Sequence, residues 1–129
     1  MAHALATIGT LAYAVSIKAG NHSLVVDESQ KIGGQDAGPA PYDLLLASLG
    51  ACTAITLKMY ADRKQWVFET VSVELHYRKE GERGRIDRAI TIKGDLSAEQ
   101  RGRMAEIAEK TPVTLTLKAG ADIHTELRD

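Results

Sequence analysis

The chain opens with a period of two. From Ile8 onward, apolar side chains fall at Leu11, Tyr13, Val15 and Ile17, with small or polar residues between most of them. That spacing predicts extended chain over residues 5 to 27. "AGNH" supplies a turn and "SLVVDE" a second run, so a hairpin is expected to pair roughly 11–18 with 23–27. Residues 28 to 40, "ESQKIGGQDAGPA", are rich in Gly and polar side chains and read as a loop. The pattern then changes. "PYDLLLASLGACTAITLKMYADRK" is apolar almost all round until Lys58. Pro41 suits the first position of a helix, where its missing N–H costs nothing. Asp43 falls in the first turn, where a negative charge meets the positive end of the helix dipole. The helix is predicted from Pro41 to about Lys64, roughly 35 Å long.

Period two returns in "VSVELHYRK" (71–79) and "IDRAITIKG" (86–94), an antiparallel hairpin closed by "EGERG". The intervening tract "RKEGERGRIDR" is basic in appearance and reads as solvated hairpin. "LSAEQRGRMAEIAEK" follows, with Ser97 and Gln100 in capping-box positions and an apolar stripe of Leu96, Met104, Ile107 and Ala108. "TPVTLTL" alternates like a strand, and "ADIHTELR" reads as a last strand. Strands, long helix, hairpin and amphipathic helix make an α+β fold, with residues 1–129 as one domain.

Composition narrows the function. The net charge of -1, with both signs interspersed, argues against a nucleic-acid partner. The charges at Lys58, Asp62, Arg63 and Lys64 break the apolar run short of the ~20 residues of a membrane span, so burial is expected and no membrane. A chain of 129 residues with one Trp and one Phe can hardly cover such a helix alone, so a homodimer is expected to help. No secretory pattern opens the chain, and one cysteine allows no internal disulfide, which suits a reducing cytoplasmic setting.

Cys52, that one cysteine, is the candidate for chemistry. On a helix it shares a face with Leu45, Ser48, Leu49, Ile55, Thr56 and Met59, and its plainest role is a small buried hydrophobe at a helix crossing. Reactivity would need the thiolate. Cys52 lies too far along its own helix for that dipole to help, so a cation from elsewhere is required. Ser48, one turn earlier, more readily bonds back to a helix carbonyl. His3, His22, His76 and His124 show no metal-ligand spacing, and no phosphate-binding or dinucleotide loop is present, so neither metal nor cofactor is expected.

"GPAPYDLLLASLGACTAITLKMYADRK" resembles the OsmC/Ohr superfamily, the osmotically inducible and organic hydroperoxide resistance proteins, in its small bacterial OsmC-like subgroup. The likeness continues through "VSVELHYRK", "GDLSAEQRGRMAEIAEKTPV" and "IHTEL". It implies an intertwined two-fold homodimer, with antiparallel sheets wrapped around paired central helices and a site at the interface. It also implies a peroxidase in which a first cysteine, matched by Cys52, is oxidised by an organic hydroperoxide. A second cysteine then closes a disulfide, and an external thiol reductant restores the pair. Here the second cysteine's "CPV" reads "TPV", with Thr111 in its place. The glutamate expected after the helix-opening proline is Tyr42, and Asp43 is the nearest carboxylate. For the thiolate-holding arginine of the N-terminal strand, Lys18 is the candidate substitute, without arginine's fork. The His and Lys that often follow "CPV" are Thr114 and Leu115. The resemblance also makes "TPVTLTL" a short helical turn. Two functions remain: a hydroperoxide reductase working with one cysteine and an external thiol, or a non-peroxidatic protein binding a small apolar or acyl-type ligand in an interface pocket.

Overall fold

A computed structural model describes residues 2–128. Its fold is α+β, with antiparallel sheets and one long helix. The chain forms two compact units, divided after Ala47.

In the first unit, β1 (Ala4–Ile8), β2 (Val15–Ala19) and β3 (His22–Val26) form an antiparallel sheet in that order. The expected hairpin is present in a shorter form, pairing Val15 with Val26 and Ala19 with His22. The single extended run drawn through Leu11 and Tyr13 is corrected. The chain reverses over residues 9–14, and Ala12 takes a left-handed φ of 35°. Alternating side chains continued across a turn, which periodicity alone cannot mark.

Residues 27–40 contain only a short 3₁₀ turn, Gln30–Ile32, but they are tightly fastened. Asp27 is buried, and its carboxylate accepts from the backbone N–H groups of Glu28 (2.7 Å), Gln35 (3.1 Å) and Ala37 (3.2 Å). Asp27 N–H donates to Pro39 O at 3.1 Å. A Cβ on Gly38 would stand 2.0 Å from Val25 O, so only glycine lets the loop lie this close against β3. Burial alone would push the Asp27 carboxyl up; the bonds from Ala37, Glu28 and Gln35 outweigh it and hold the group below the ordinary aspartate range.

Helix α1 spans Pro41–Lys64, as predicted. By length and composition it could cross a membrane, contrary to the count of apolar residues made on the sequence. Within the second unit, however, it is a core helix. Leu49, Thr53, Leu57 and Ala61, spaced by four, form its buried stripe. Leu57 and Ala61 pack with Met104 and Ala108 of α2 (Ala98–Ala108), and with Phe68, Val71, Ile90 and Ile92. Strands β4 (Thr70–Glu80) and β5 (Arg83–Lys93) supply the last of these from one face of a hairpin. The turn is tighter than "EGERG" suggested: Glu80 pairs Arg83, and Gly81 takes the positive φ that such hairpin turns favour. Ser97 and Gln100 cap α2 reciprocally, as the sequence indicated.

Two C-terminal expectations are settled differently. "TPVTLTL" is helical, as α3 (Pro112–Ala119), so its strand-like alternation misleads and the helical reading holds. "ADIHTELR" is not a strand: residues 121–128 carry no regular structure, and Ile123 and Leu127 are fully open to solvent. A strand needs a partner edge for its backbone groups, and none pairs with this segment among the described residues.

Candidate functional site

The site assembles where α3 begins. Thr111 is its N-cap: Oγ1 accepts from Thr114 N–H at 3.4 Å. Pro112 has no N–H to offer. The next donor, Val113 N–H, points at Cys52 Sγ at 3.5 Å. Cys52 is half-buried at the flank of α1, and the Thr56 hydroxyl lies 4.0 Å from its sulfur. A sulfur at a helix N-terminus, facing a free backbone N–H, is placed where negative charge is favoured. The helix concerned is α3 and not the one that carries the cysteine.

A second group stands beside this contact. Arg88 lies on the inner face of β5, in register with Leu75 of β4, and its side chain is only 11% exposed. Nη1 donates to Thr53 Oγ1 (2.9 Å) and Thr114 Oγ1 (2.8 Å). Nη2 donates to Ala108 O (2.9 Å) and Glu109 Oε2 (3.2 Å). Thr53 Oγ1 passes its own proton to Leu49 O at 2.7 Å, and the Thr111 and Thr114 hydroxyls are 2.6 Å apart. One guanidinium thus ties α1, the end of α2 and the start of α3. Glu109 also meets Lys118 Nζ at 2.6 Å; chiefly that bond and charge, then Arg88, hold its carboxyl below the ordinary range.

The structure joins Cys52 to the α3 terminus that Thr111 caps. Asp43 and Lys18 belong to the first unit. Asp43 is exposed, and Oδ2 accepts from Ala40 N–H at 3.2 Å, closing the first turn of α1. Lys18 is an exposed residue of β2 paired with Leu5 and Ser23. Sequence reasoning missed Arg88, which it left in the solvated tract "RKEGERGRIDR". A signal was there: Ile86, Arg88, Ile90 and Ile92 alternate, so Arg88 occupies a core-facing position. A cleft of about 420 Å³ opens on the far side of Arg88, lined among others by Leu49, Arg83, Ile86, Leu117 and Lys118. Cys52 is not in its wall.

An α+β fold with a long core helix, whose half-buried thiol meets another helix's N-terminus, defines a class of small thiol-bearing proteins. The chain belongs to the OsmC-like protein family, which matches residues 33–126. No curated protein matches it by sequence. Among solved structures it is similar to an organic hydroperoxide resistance protein OsmC of Legionella pneumophila, at 18% identity and TM-score 0.68, covering 92% of this chain and 89% of that one. An OsmC-like protein of Mycoplasma pneumoniae superposes at 15% identity and TM-score 0.73, covering 92% and 86%. An organic hydroperoxide resistance protein of Elizabethkingia anophelis, crystallised with thiocyanate bound, gives 20% and 0.65, covering 90% and 87%.

Proposed function

We propose that this is a cytoplasmic stress and redox protein that reduces organic hydroperoxides through one cysteine. The observation that carries the reading is the Val113 N–H aimed at Cys52 Sγ at 3.5 Å. Cys52 thiolate attacks the distal peroxide oxygen. The O–O bond breaks, an alcohol leaves with a proton, and the sulfur becomes a sulfenic acid. Thr111 cannot close a disulfide, so an external thiol condenses with the sulfenic acid, releasing water. A second thiol then exchanges the mixed disulfide and regenerates Cys52. In this reading Asp43 is the carboxylate of the site, and a homodimer brings in Lys18 of the partner copy as a cation. Support for the dimer comes from α1: Ala51, Ile55 and Met59 form an exposed stripe opposite the buried one.

The test is direct. Cumene hydroperoxide followed by dimedone should label Cys52, and Cys52→Ser should consume no peroxide. A Cys52→Ser protein as fast as its parent would end the proposal. In a second reading the protein binds a small apolar or acyl-type ligand and Cys52 is inert; the cleft beside Arg88 offers it space, with a wall that mixes Leu49, Ile86 and Leu117 with the charged Arg83, Asp87, Glu109 and Lys118. The volume of the cleft is within the ordinary range for ligand sites. That reading requires a co-purified organic molecule, detectable by native mass spectrometry, and fails if the protein is empty and binds no fatty acid.

A further inference from the structure

We propose that Arg88 is the positioning residue of the Cys52 site, holding the α3 N-terminus over the sulfur and supplying the positive charge beside it; this rests on the choice of Cys52 as the reacting sulfur. Both terminal nitrogens of the guanidinium are fully committed, each donating twice. Two of the four acceptors, Ala108 O and Glu109 Oε2, lie where α2 ends. A third, Thr114 Oγ1, lies in the first turn of α3, one residue beyond the N–H that meets the sulfur. The fourth, Thr53 Oγ1, belongs to the residue after Cys52 on α1. Fixing Thr53 and Thr114 to one rigid planar fork therefore fixes the two sides of the Cys52–Val113 contact relative to each other. The same group is a cation, held at Thr53 and Thr114, the chain neighbours of Cys52 and Val113. The half-buried setting limits screening of that charge by solvent. A cation is thus tied to the chain neighbours of both contacting residues within the same unit, in addition to any charge that a partner copy brings.

Iodoacetamide alkylation of Cys52 across pH 6 to 10 tests this. Losing the nearby charge and the tie to α3 disfavours the thiolate, so Arg88→Met should react about tenfold more slowly at pH 7, with its rate profile moved to higher pH. Thr114→Val, which keeps the charge and cuts the tie to α3, should move the midpoint the same way by a smaller amount. Loss of mere structural support would change the plateau rate, through access, and leave the midpoint in place. Midpoints in both variants within about 0.2 unit of the parent overturn the proposal. If Arg88→Met fails to fold by circular dichroism, Thr114→Val decides on the same criterion. Alkylation uses no peroxide. A parent thiol that alkylates yet yields no dimedone adduct therefore sinks the reductase reading, while the midpoints still decide Arg88.

Discussion

Replacing Thr111 with cysteine should separate the structural and chemical roles of that position. Thr111 is fully buried, and its hydroxyl makes two contacts: it accepts from Thr114 N–H at 3.4 Å and lies 2.6 Å from Thr114 Oγ1. A thiol is a weaker acceptor with a longer reach. Losing an N-cap costs about 1 kcal/mol, and losing a neutral hydroxyl bond about 1 kcal/mol more. The reduced Thr111→Cys protein should therefore be less stable by about 2 kcal/mol, which for a domain of this size lowers the melting temperature by roughly 8 °C. Oxidation should reverse the sign. The position is two residues before the N–H that touches Cys52 Sγ, so a disulfide between residues 52 and 111 is the expected product. One equivalent of cumene hydroperoxide should then yield a disulfide instead of a dimedone-reactive sulfenic acid, and the melting temperature should rise past that of the reduced variant. Melting curves under reducing conditions, intact mass and thiol titration read all three steps. An unchanged melting temperature would refute the capping role. A sulfenic acid that persists with the new thiol still free would refute the proximity.

Two other perturbations bear on the frame around the site. The Asp27 carboxyl is held below its unfolded value, so its stabilising contribution is complete above about pH 4 and is lost as pH falls through the folded value. The melting-temperature gap between parent and Asp27→Asn should accordingly be widest near pH 7 and narrow toward pH 2.5, and a gap independent of pH would contradict this. If the proposed homodimer packs through the exposed stripe of α1, Ile55→Asp should leave the monomer's fold intact while shifting sedimentation from dimer to monomer; a parent that sediments as a monomer, or a variant that sediments as the parent does, would refute that contact.

Most of the frame could be read from the sequence because its signals are local. Pro41 marks the start of α1 and the Ser97–Gln100 capping box marks that of α2, and the structure keeps both. The two alternating runs of the β4–β5 hairpin were equally plain. What failed were places where tertiary context decides. Eight residues of α3 are too few for periodicity to discriminate, and Thr-Leu-Thr-Leu alternation disguised a helix that Thr111 and Pro112 begin. The segment 121–128 has the pattern of a strand but pairs with no strand among the described residues. Gly50, a small residue beside Cys52, could admit a neighbouring helix by its size alone. A Cβ there would instead meet Leu75 Cδ1 at 2.9 Å, so the glycine fits α1 onto β4, and Ala51 is the small residue left facing outward. Of the site, Cys52 and Thr111 were legible as residues, but the donor between them was not. A backbone N–H has no letter in the sequence.

Arg88 sharpens the case for chemistry at this site. An arginine alternating with Ile86, Ile90 and Ile92 stands where an apolar side chain would serve the core at no desolvation cost. Buried charges are seldom the cheapest way to hold a fold, and apolar replacements of similar volume are often neutral or stabilising. The hydroxyls around Arg88 each keep one partner without it: Thr53 Oγ1 donates to Leu49 O, and the Thr111 and Thr114 hydroxyls meet each other. The structural use of Arg88 is to donate to Ala108 O, where α2 ends. Its distinguishing effect is geometric and electrostatic: it locks Thr53 of α1 to Thr114 of α3 and places a permanent positive charge beside the helix turn that carries the thiol. That arrangement has a use in a chain that reacts through a sulfur anion, beyond the structural one of fastening the end of α2 to its neighbours.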